Sequence, residues 1–394
     1  MRDDGGRQSS PLMAAGAGAL QLVALFGSFA ATPLFPLYSA AWDLEPAHVS
    51  VAFAGYPVGV LIVMTLLGGL SDLIGRKWML LLGAALVLTA FVVTAAAWSL
   101  PALVAGRIVQ GMATGLIAST SAAALLEFHP RGPRAGSLAH AVCTTVGMGL
   151  GPLLSGVLAE GTDRPLVVPY AVLAALALAP LALVLPAPGD RRVTGGARMV
   201  RAVRVPRGIW LPFSVAALSL MMFNGCMALF GTFGSRILAE GAGRASTGGT
   251  GGLLSLLLGS TLLAQLALHR LPAARSACLG VLGTAAGTAT TALALHVASA
   301  PATFAGTALI GFGGGLTLLG ANRLIGEYAP AHRRAETYAA WMVCAFVALG
   351  GASVATGLAL GDTSLTLVLT GASGIIALCA VYALLVTRFG LHRR

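Results

Sequence analysis

The chain has very little charge. Only 9% of its 394 residues are Asp, Glu, Lys or Arg, whereas 57% are apolar and the mean hydropathy is +0.87. A soluble domain carries about a quarter charged residues, so this composition indicates a membrane protein with the lipid bilayer as its surroundings. The net charge of +11 does not indicate a nucleic-acid partner, because the arginines lie in short loops between apolar stretches, without an aromatic-basic patch.

Clustered cysteines and metal-ligand spacings are also missing. The five cysteines lie in apolar stretches at unrelated spacings, without a CxxC motif, and we expect them to be small buried residues. The chain has no paired histidines and no HExxH or GxSxG motif, which argues against a membrane enzyme with a clustered catalytic set. We therefore expect no catalytic residues, no metal and no cofactor.

Long apolar runs are abundant. Stretches of roughly 20 apolar residues can cross the bilayer, and in lipid they must be helices because no water satisfies open backbone groups. The sequence predicts an all-α polytopic membrane protein with spans at 13–39, 50–70, 78–98, 101–126, 136–159, 165–186, 209–233, 249–268, 276–297, 301–325, 336–360 and 364–387. The first span is too long for the apolar core of a secretory signal, so we interpret it as a retained helix.

The positive charges are distributed unevenly between the two sides of these spans. Nineteen of the 24 lysines and arginines fall on the side that carries both termini, three on the opposite side and two within spans. The positive-inside rule then predicts a multi-pass protein of the plasma (inner) membrane, with both termini in the cytoplasm.

The chain repeats itself at an offset of 200 residues. Residues 127–136 read EFHPRGPRAG and residues 327–336 read EYAPAHRRAE. Two parallel repeats explain this match, and we expect two pseudo-symmetric six-helix bundles, at 1–186 and 208–394, in a monomeric protein. Residues 187–207 contain six arginines and one acid, and are interpreted as a cytosolic basic linker.

The turn between the second and third spans reads GGLSDLIGRK. It resembles the signature loop of the major facilitator superfamily, G-x-x-x-D-x-x-G-[RK]-[RK], with Gly68, Asp72, Gly75, Arg76 and Lys77 in place. The resemblance implies a conformational latch at the cytosolic side, formed by these residues together with Glu127 at the end of the fourth span. In the second half the aligned loop has lost the acid and its basic partner, with His269 and Ala273 in their places.

Arg107 lies inside the fourth span, where a charge is costly and therefore a functional candidate. Its surroundings, GRIVQGMATG, resemble the family motif R-x-x-Q-G-x-x-x-G, which implies a role in proton coupling. The alternative is an arginine that extends to the outer interface. The repeat partner of Arg107 is Thr307, so the charge is not a folding requirement that both halves share.

The fifth span contains a motif of glycines and one proline, GMGLGPLLSG. It resembles the antiporter motif G-x-x-x-G-P-x-x-x-G of the family, through Gly147, Gly151, Pro152 and Gly156. The resemblance implies a kinked helix that seals the two halves against leakage and favours antiport. The alternative is an ordinary kinked packing helix.

The first helix lacks the acidic residue that related twelve-span drug:proton antiporters often carry there. Its ATPLFPLY stretch resembles theirs, but the nearest acids are Asp43 and Glu45 at the outer end. Either Asp43, Asp72 or Glu127 takes up the proton, or the protein is not proton-coupled. A neutral, anionic or zwitterionic substrate then fits Arg107 better than a strongly cationic one. From the family pattern, the substrate-cavity candidates are Tyr38, Gln110 and Asn224.

The sequence as a whole favours a secondary active transporter. We expect it to export a small organic compound, drug-like or natural-product-like, in exchange for protons through alternating access. The alternative is a facilitator-type proton symporter that imports a small metabolite.

Overall fold

The computed structural model describes residues 10–67, 73–188, 204–243 and 246–390. Within these ranges twelve long apolar helices follow one another. They are α1 (Pro11–Trp42), α2 (Pro46–Leu66), α3 (Arg76–Ala95), α4 (Leu100–Phe128), α5 (Pro133–Glu160), α6 (Val168–Val184), α7 (Trp210–Ala242), α8 (Thr247–Ala267), α9 (Ala273–His296), α10 (Ala300–Tyr328), α11 (Arg334–Asp362) and α12 (Leu365–Leu385). Each of the twelve predicted spans corresponds to one of these helices; eleven are long enough to cross a membrane, and α6, with 17 residues, is shorter. The ends differ by a few residues, except that α7 continues nine residues beyond its predicted end at 233.

Two of the twelve helices are irregular. The first consists of a helix Pro11–Ala30, a 3-10 turn Thr32–Leu34 and a short helix Phe35–Trp42. The other is α7, in which Phe233 leaves helical geometry with φ −119° and ψ 17°. At an offset of 200, Phe233 corresponds to Pro33, so the first helix of each half is interrupted at the same place.

The repeat seen in the sequence is also present in the packing. Helices α4 and α10 have the same 29-residue length at the 200-residue offset. A Cβ on Gly111 would lie 2.0 Å from the Tyr56 carbonyl of α2, and one on Gly311 would lie 2.0 Å from the Leu257 carbonyl of α8. Helices in lipid associate through such close backbone contacts, because lipid and side chain are equally apolar.

The helices pack as two groups, α1–α6 and α7–α12, and the main contacts between the groups are α5 with α8 and α2 with α11. The turns that carry Arg76, Arg131 and Arg270 lie at one end of the bundle, called here the basic end; the opposite end is called the far end. The domain limits at 187–207 stay a prediction, since residues 189–203 lie outside the described ranges.

Hydrogen bonds between the two groups occur near the far end. Thr247 donates to the Gly156 carbonyl (3.1 Å), Ser255 to the Gly149 carbonyl (2.6 Å) and Ser353 to the Ser50 carbonyl (3.3 Å). Toward the basic end, residues 137–146 of α5 are half-buried or exposed. The groups are therefore joined at the far end and separated toward the basic end.

Close glycine packing predicts a position-specific loss of stability. We expect Gly111→Ala to lower the melting temperature of the purified protein by several degrees, because the methyl group would collide with the Tyr56 carbonyl. Gly374→Ala in α12 is the matched control, since a Cβ there meets no atom within 4 Å. Equal melting temperatures for the two variants would contradict the packing argument.

Candidate functional site: a buried arginine at a break in the first helix

The break in α1 follows from its prolines. Pro33 has no N–H to donate to the Phe29 carbonyl, and Leu34 donates to the Ala31 carbonyl (3.0 Å) instead of continuing the α-helical pattern. Carbonyls at the end of the Pro11–Ala30 helix therefore need donors from elsewhere, because an unpaired backbone group inside a membrane bundle is costly.

Two side chains from neighbouring helices supply these donors. Arg107 of α4 donates from Nη1 to the Ser28 carbonyl (3.0 Å), and Ser155 of α5 donates to the Ala30 carbonyl (2.7 Å). Both side chains are about 99% buried. The guanidinium thus lies at the negative end of the helix dipole, where a cation is stabilised.

Arg107 is surrounded by polar and aromatic groups of the first half. Its Nη1 also donates to Gln110 Oε1, and its Cζ lies 5.1 Å from the ring centroid of Tyr56, a cation–π contact. The Tyr38 and Tyr170 hydroxyls are close enough to interact electrostatically with the guanidinium. These contacts compensate a charge that would otherwise be expensive inside the bundle.

Not every polar atom in this cluster has a partner. The Tyr38 and Tyr170 hydroxyls lie near each other but lack proper hydrogen-bond geometry. Arg107 Nε and Gln110 Nε2 likewise have no hydrogen-bond partner among the described residues. Unpaired buried donors are rare in a purely structural core, which makes this cluster a candidate functional site.

The position of Arg107 is not the interfacial one that the sequence left open as an alternative. With 1% of its surface exposed, it does not extend to the membrane interface, and it does not line an open cavity in this conformation. It lies between helices of the first half, where it is bound to the backbone of α1. Its role in proton coupling stays a prediction.

The signature loop is only partly described, since Gly68 and Asp72 lie outside the described residues. Arg76 donates from Nη2 to Glu127 Oε1 (3.0 Å), which ties the start of α3 to the end of α4. Gly75 precedes α3 with φ +99°, a conformation that strains any other residue. Lys77 donates to the Ala187 carbonyl (2.6 Å) just after α6.

The second half stabilises the corresponding turn differently. Arg323 of α10 donates to the carbonyls of His269 and Leu271 in the turn between α8 and α9. In the second half, Arg323 lies on α10 and binds backbone carbonyls. In the first half, Arg76 belongs to the signature motif at the start of α3 and binds the Glu127 carboxylate. The sequence alignment showed the loss of the loop charges but not this replacement.

The antiporter-like motif of α5 contacts two different helices. Gly147 and Gly151 pack against α1, where a Cβ would lie 2.6 Å from the Leu22 carbonyl and 2.3 Å from the Phe26 carbonyl. Gly156 faces α8, where a Cβ would lie 2.4 Å from the Thr247 carbonyl, and the Pro152 carbonyl meets Gly251. The motif therefore fits α5 between the broken first helix and the second half.

A carboxylate adds a polar contact at this seam. Glu160 Oε1 accepts from the Gly248 N–H (2.9 Å) in the first turn of α8, where an anion is stabilised by the helix dipole. A Cβ on Gly248 would lie 2.6 Å from Glu160 Oε2, so the glycine permits this approach. Glu160 was not singled out from the sequence, because an acid at a helix end there has no distinguishing signal.

The other predicted site residues lie in separate places. Tyr38 and Gln110 are buried beside Arg107, whereas Asn224 is half-buried on α7 and donates to the Leu220 carbonyl of its own helix (3.0 Å). Asp43 is exposed at the far end, in a left-handed conformation that ends α1, and is not part of the Arg107 cluster.

Sequence reasoning also missed the residues that complete the cluster. Ser28, Tyr56, Ser155 and Tyr170 are polar side chains within apolar spans, which is the signal that could have identified them. A spacing pattern along the chain does not show that residues of four other helices gather around Arg107.

Comparison with known proteins agrees with this architecture. A family model described as Major Facilitator Superfamily matches residues 17–353. The chain is 31% identical over 149 residues to the "Uncharacterized MFS-type transporter EfpA" of Mycobacterium tuberculosis (strain ATCC 25618 / H37Rv), covering 37% of this chain and 28% of that protein. It is 26% identical over 165 residues to the "Multidrug efflux protein YfmO" of Bacillus subtilis (strain 168), covering 42% of each. The matches thus span less than half the length of either relative.

Solved structures share the fold over nearly the whole chain. A D-xylose-proton symporter superposes with a TM-score of 0.76 at 17% identity, covering 96% of this chain and 97% of that one. A bacterial homolog of the human lysosomal transporter Spinster, in an inward-facing and occupied conformation, also has a TM-score of 0.76, at 13% identity and 97% coverage of both chains. At these identities the likeness concerns the fold alone. The match to the family model covers most of the sequence, and the chain belongs to the Major Facilitator Superfamily, whose members are transporters and not enzymes.

Proposed function

We propose that the protein is an exporter that moves a small organic compound out of the cell in exchange for protons, by alternating access. The observation that carries this proposal is the seam of α5 against α8. There Pro152 and Gly156, part of an antiporter-like motif, form a glycine-lined contact with the second half. One sequence relative supports the direction of transport, since it is named a multidrug efflux protein.

The side of the membrane follows from the charges. We place the basic end in the cytoplasm, because most lysines and arginines lie in its loops. The conformation, joined at the far end and separated toward the basic end, is then inward-facing. A cytosolic compound would enter between the two helix groups, and opening of the α5–α8 and α2–α11 contacts would release it outside.

The Arg107 cluster supports a preference for a neutral, anionic or zwitterionic compound. Among the residues that the structure describes, every acid lies at a helix end or in a loop, so a cationic substrate would find none of their carboxylates at the level of this cluster. We propose that Arg107 acts as a fixed positive charge linked to α1. A proton-binding acid near a helix end then responds to the position of α1, with Asp43, Asp72 and Glu127 as the candidates.

The coupling can be tested in inverted membrane vesicles. We expect uptake of the compound into these vesicles to collapse when a nigericin-type ionophore dissipates the pH gradient, because proton flow drives exchange. The necessary compound can be found by comparing which toxic compounds accumulate less in cells that produce the protein. Uphill uptake that persists on a sodium gradient alone would contradict proton antiport, and uptake in right-side-out vesicles would favour the symporter.

Substitutions of Arg107 should impair transport strongly. We expect Arg107→Ala to lower the initial rate on the order of ten- to a hundredfold, because the Ser28 carbonyl and Gln110 lose a charged donor. Arg107→Lys should restore part of the rate, since lysine retains the charge without the planar fork. Arg164→Ala, in the exposed loop before α6, is the control. Normal transport by the alanine variant would exclude a role for Arg107.

The ion pair at the basic end predicts coupled effects. We expect Arg76→Ala and Glu127→Ala each to slow transport while membrane insertion stays normal. When the losses of transport rate are expressed as free energies, the double variant should lose less than the sum of the two single variants, because the partners are in contact. Glu127 is 46% exposed, so the pair contributes only about 0.2–1 kcal/mol, which is enough to shift two states of similar energy. Additive losses measured as transport rates would show that the two charges act separately.

A further inference from the structure

Three hydroxyl-bearing residues on three helices form a hydrogen-bonded chain at the far end. Ser353 of α11 donates to the Ser50 carbonyl of α2 (3.3 Å), and the oxygens of Thr232 in α7 and Ser353 lie 2.8 Å apart. Since a hydroxyl carries one hydrogen, Ser353 can donate to the Ser50 carbonyl while Thr232 donates to Ser353. The chain therefore runs from α7 through α11 to α2 and crosses between the two helix groups.

The surroundings of this chain are tightly packed. Ser50, Thr232 and Ser353 are each at most 3% exposed. Glycines allow α2 to approach its neighbours, since a Cβ on Gly357 would lie 2.0 Å from Ser50 Oγ and one on Gly231 would lie 2.5 Å from the Phe53 ring. The Thr232 and Ser353 hydroxyls pair with each other and with the Ser50 carbonyl, whereas the Ser50 hydroxyl has no hydrogen-bond partner among the described residues.

The chain also adjoins the irregular parts of α1 and α7. Thr232 precedes Phe233, the residue at which α7 leaves helical geometry. Both line a crevice of about 280 Å³ whose other wall includes Phe35, Pro36 and Ser39, which follow the break in α1. The segments beyond the two interruptions thus face each other directly beside the hydroxyl chain.

We propose that Thr232, Ser353 and the Ser50 carbonyl form a lock that holds the far end closed until the crevice widens and water reaches these groups. In the closed state the groups are buried, so loss of one partner leaves a buried polar group unsatisfied. In the open state water replaces the partners, so the lock biases the equilibrium without making it irreversible. A buried ion pair would be harder to break in such a place.

The lock rests on the alternating access proposed above, but it can be tested by conformation alone. Spin labels would be attached to Ala40→Cys and Glu240→Cys, exposed positions at the far end in opposite halves, in a full-length variant without the five native cysteines. Pulsed electron spin resonance of the protein in lipid nanodiscs then reports the populations of short and long distances. We expect Ser353→Ala to raise the ratio of long to short distances about tenfold, the effect of one buried hydrogen bond.

Two further variants keep the test independent of one substitution. Thr232→Val removes the other hydroxyl at similar volume and should shift the distances in the same direction. The double variant should raise the ratio of long to short distances by less than the product of the two single increases, because the hydroxyls are in contact. Ser373→Ala in α12 is the matched control, since that hydroxyl donates only to Leu369 of its own helix.

The outcomes separate the lock from the proposed function. Unchanged distances in Ser353→Ala and in Thr232→Val, equal to those of Ser373→Ala, would overturn the lock, whatever the vesicle experiments show. A shift toward long distances supports the lock even if uptake proves independent of a proton gradient. In that case the proton antiport, and not the lock, would have failed.

Discussion

Close contact between helix backbones is the constraint on which the rest of the structure depends. Inside a bilayer, apolar side chains gain little from leaving lipid, so the helices must be held by packing and by polar contacts. Gly111 and Gly311 permit this approach within the two halves, and Gly156 and Gly357 permit it between them. Glycines therefore set the close contacts both inside each half and between the halves.

Polar contacts distinguish the two halves, although their helices repeat. Arg107 binds the broken first helix in one half, whereas its counterpart Thr307 donates only to the Thr303 carbonyl of its own helix. Near the basic end, Arg76 binds Glu127, whereas Arg323 binds backbone carbonyls. The two halves therefore share a packing scheme but differ in what their buried polar groups bind.

The candidate site was predictable in part. Arg107 and Gln110 could be identified because polar groups are rare in apolar spans, and the glycines of α5 because their spacing places them on one helix face. The contact of Ser155 with the Ala30 carbonyl could not be identified, because the carbonyl becomes available only where the proline-rich segment interrupts α1. The contact of Glu160 with α8 could not be identified either, because its partner Gly248 is 88 residues away in the chain.

The sequence by itself determined the membrane class, the twelve spans and the repeat, because these depend on local hydropathy and on spacing along the chain. Only the tertiary structure decided what each polar residue binds. It placed Arg107 against the backbone of α1, away from an open cavity, and it joined Thr232, Ser353 and Ser50 across the far end. The physical reason is that the partners of Arg107, Ser155 and Ser353 lie on other helices, and which helices lie next to each other depends on the packing of the whole bundle and not on the local sequence.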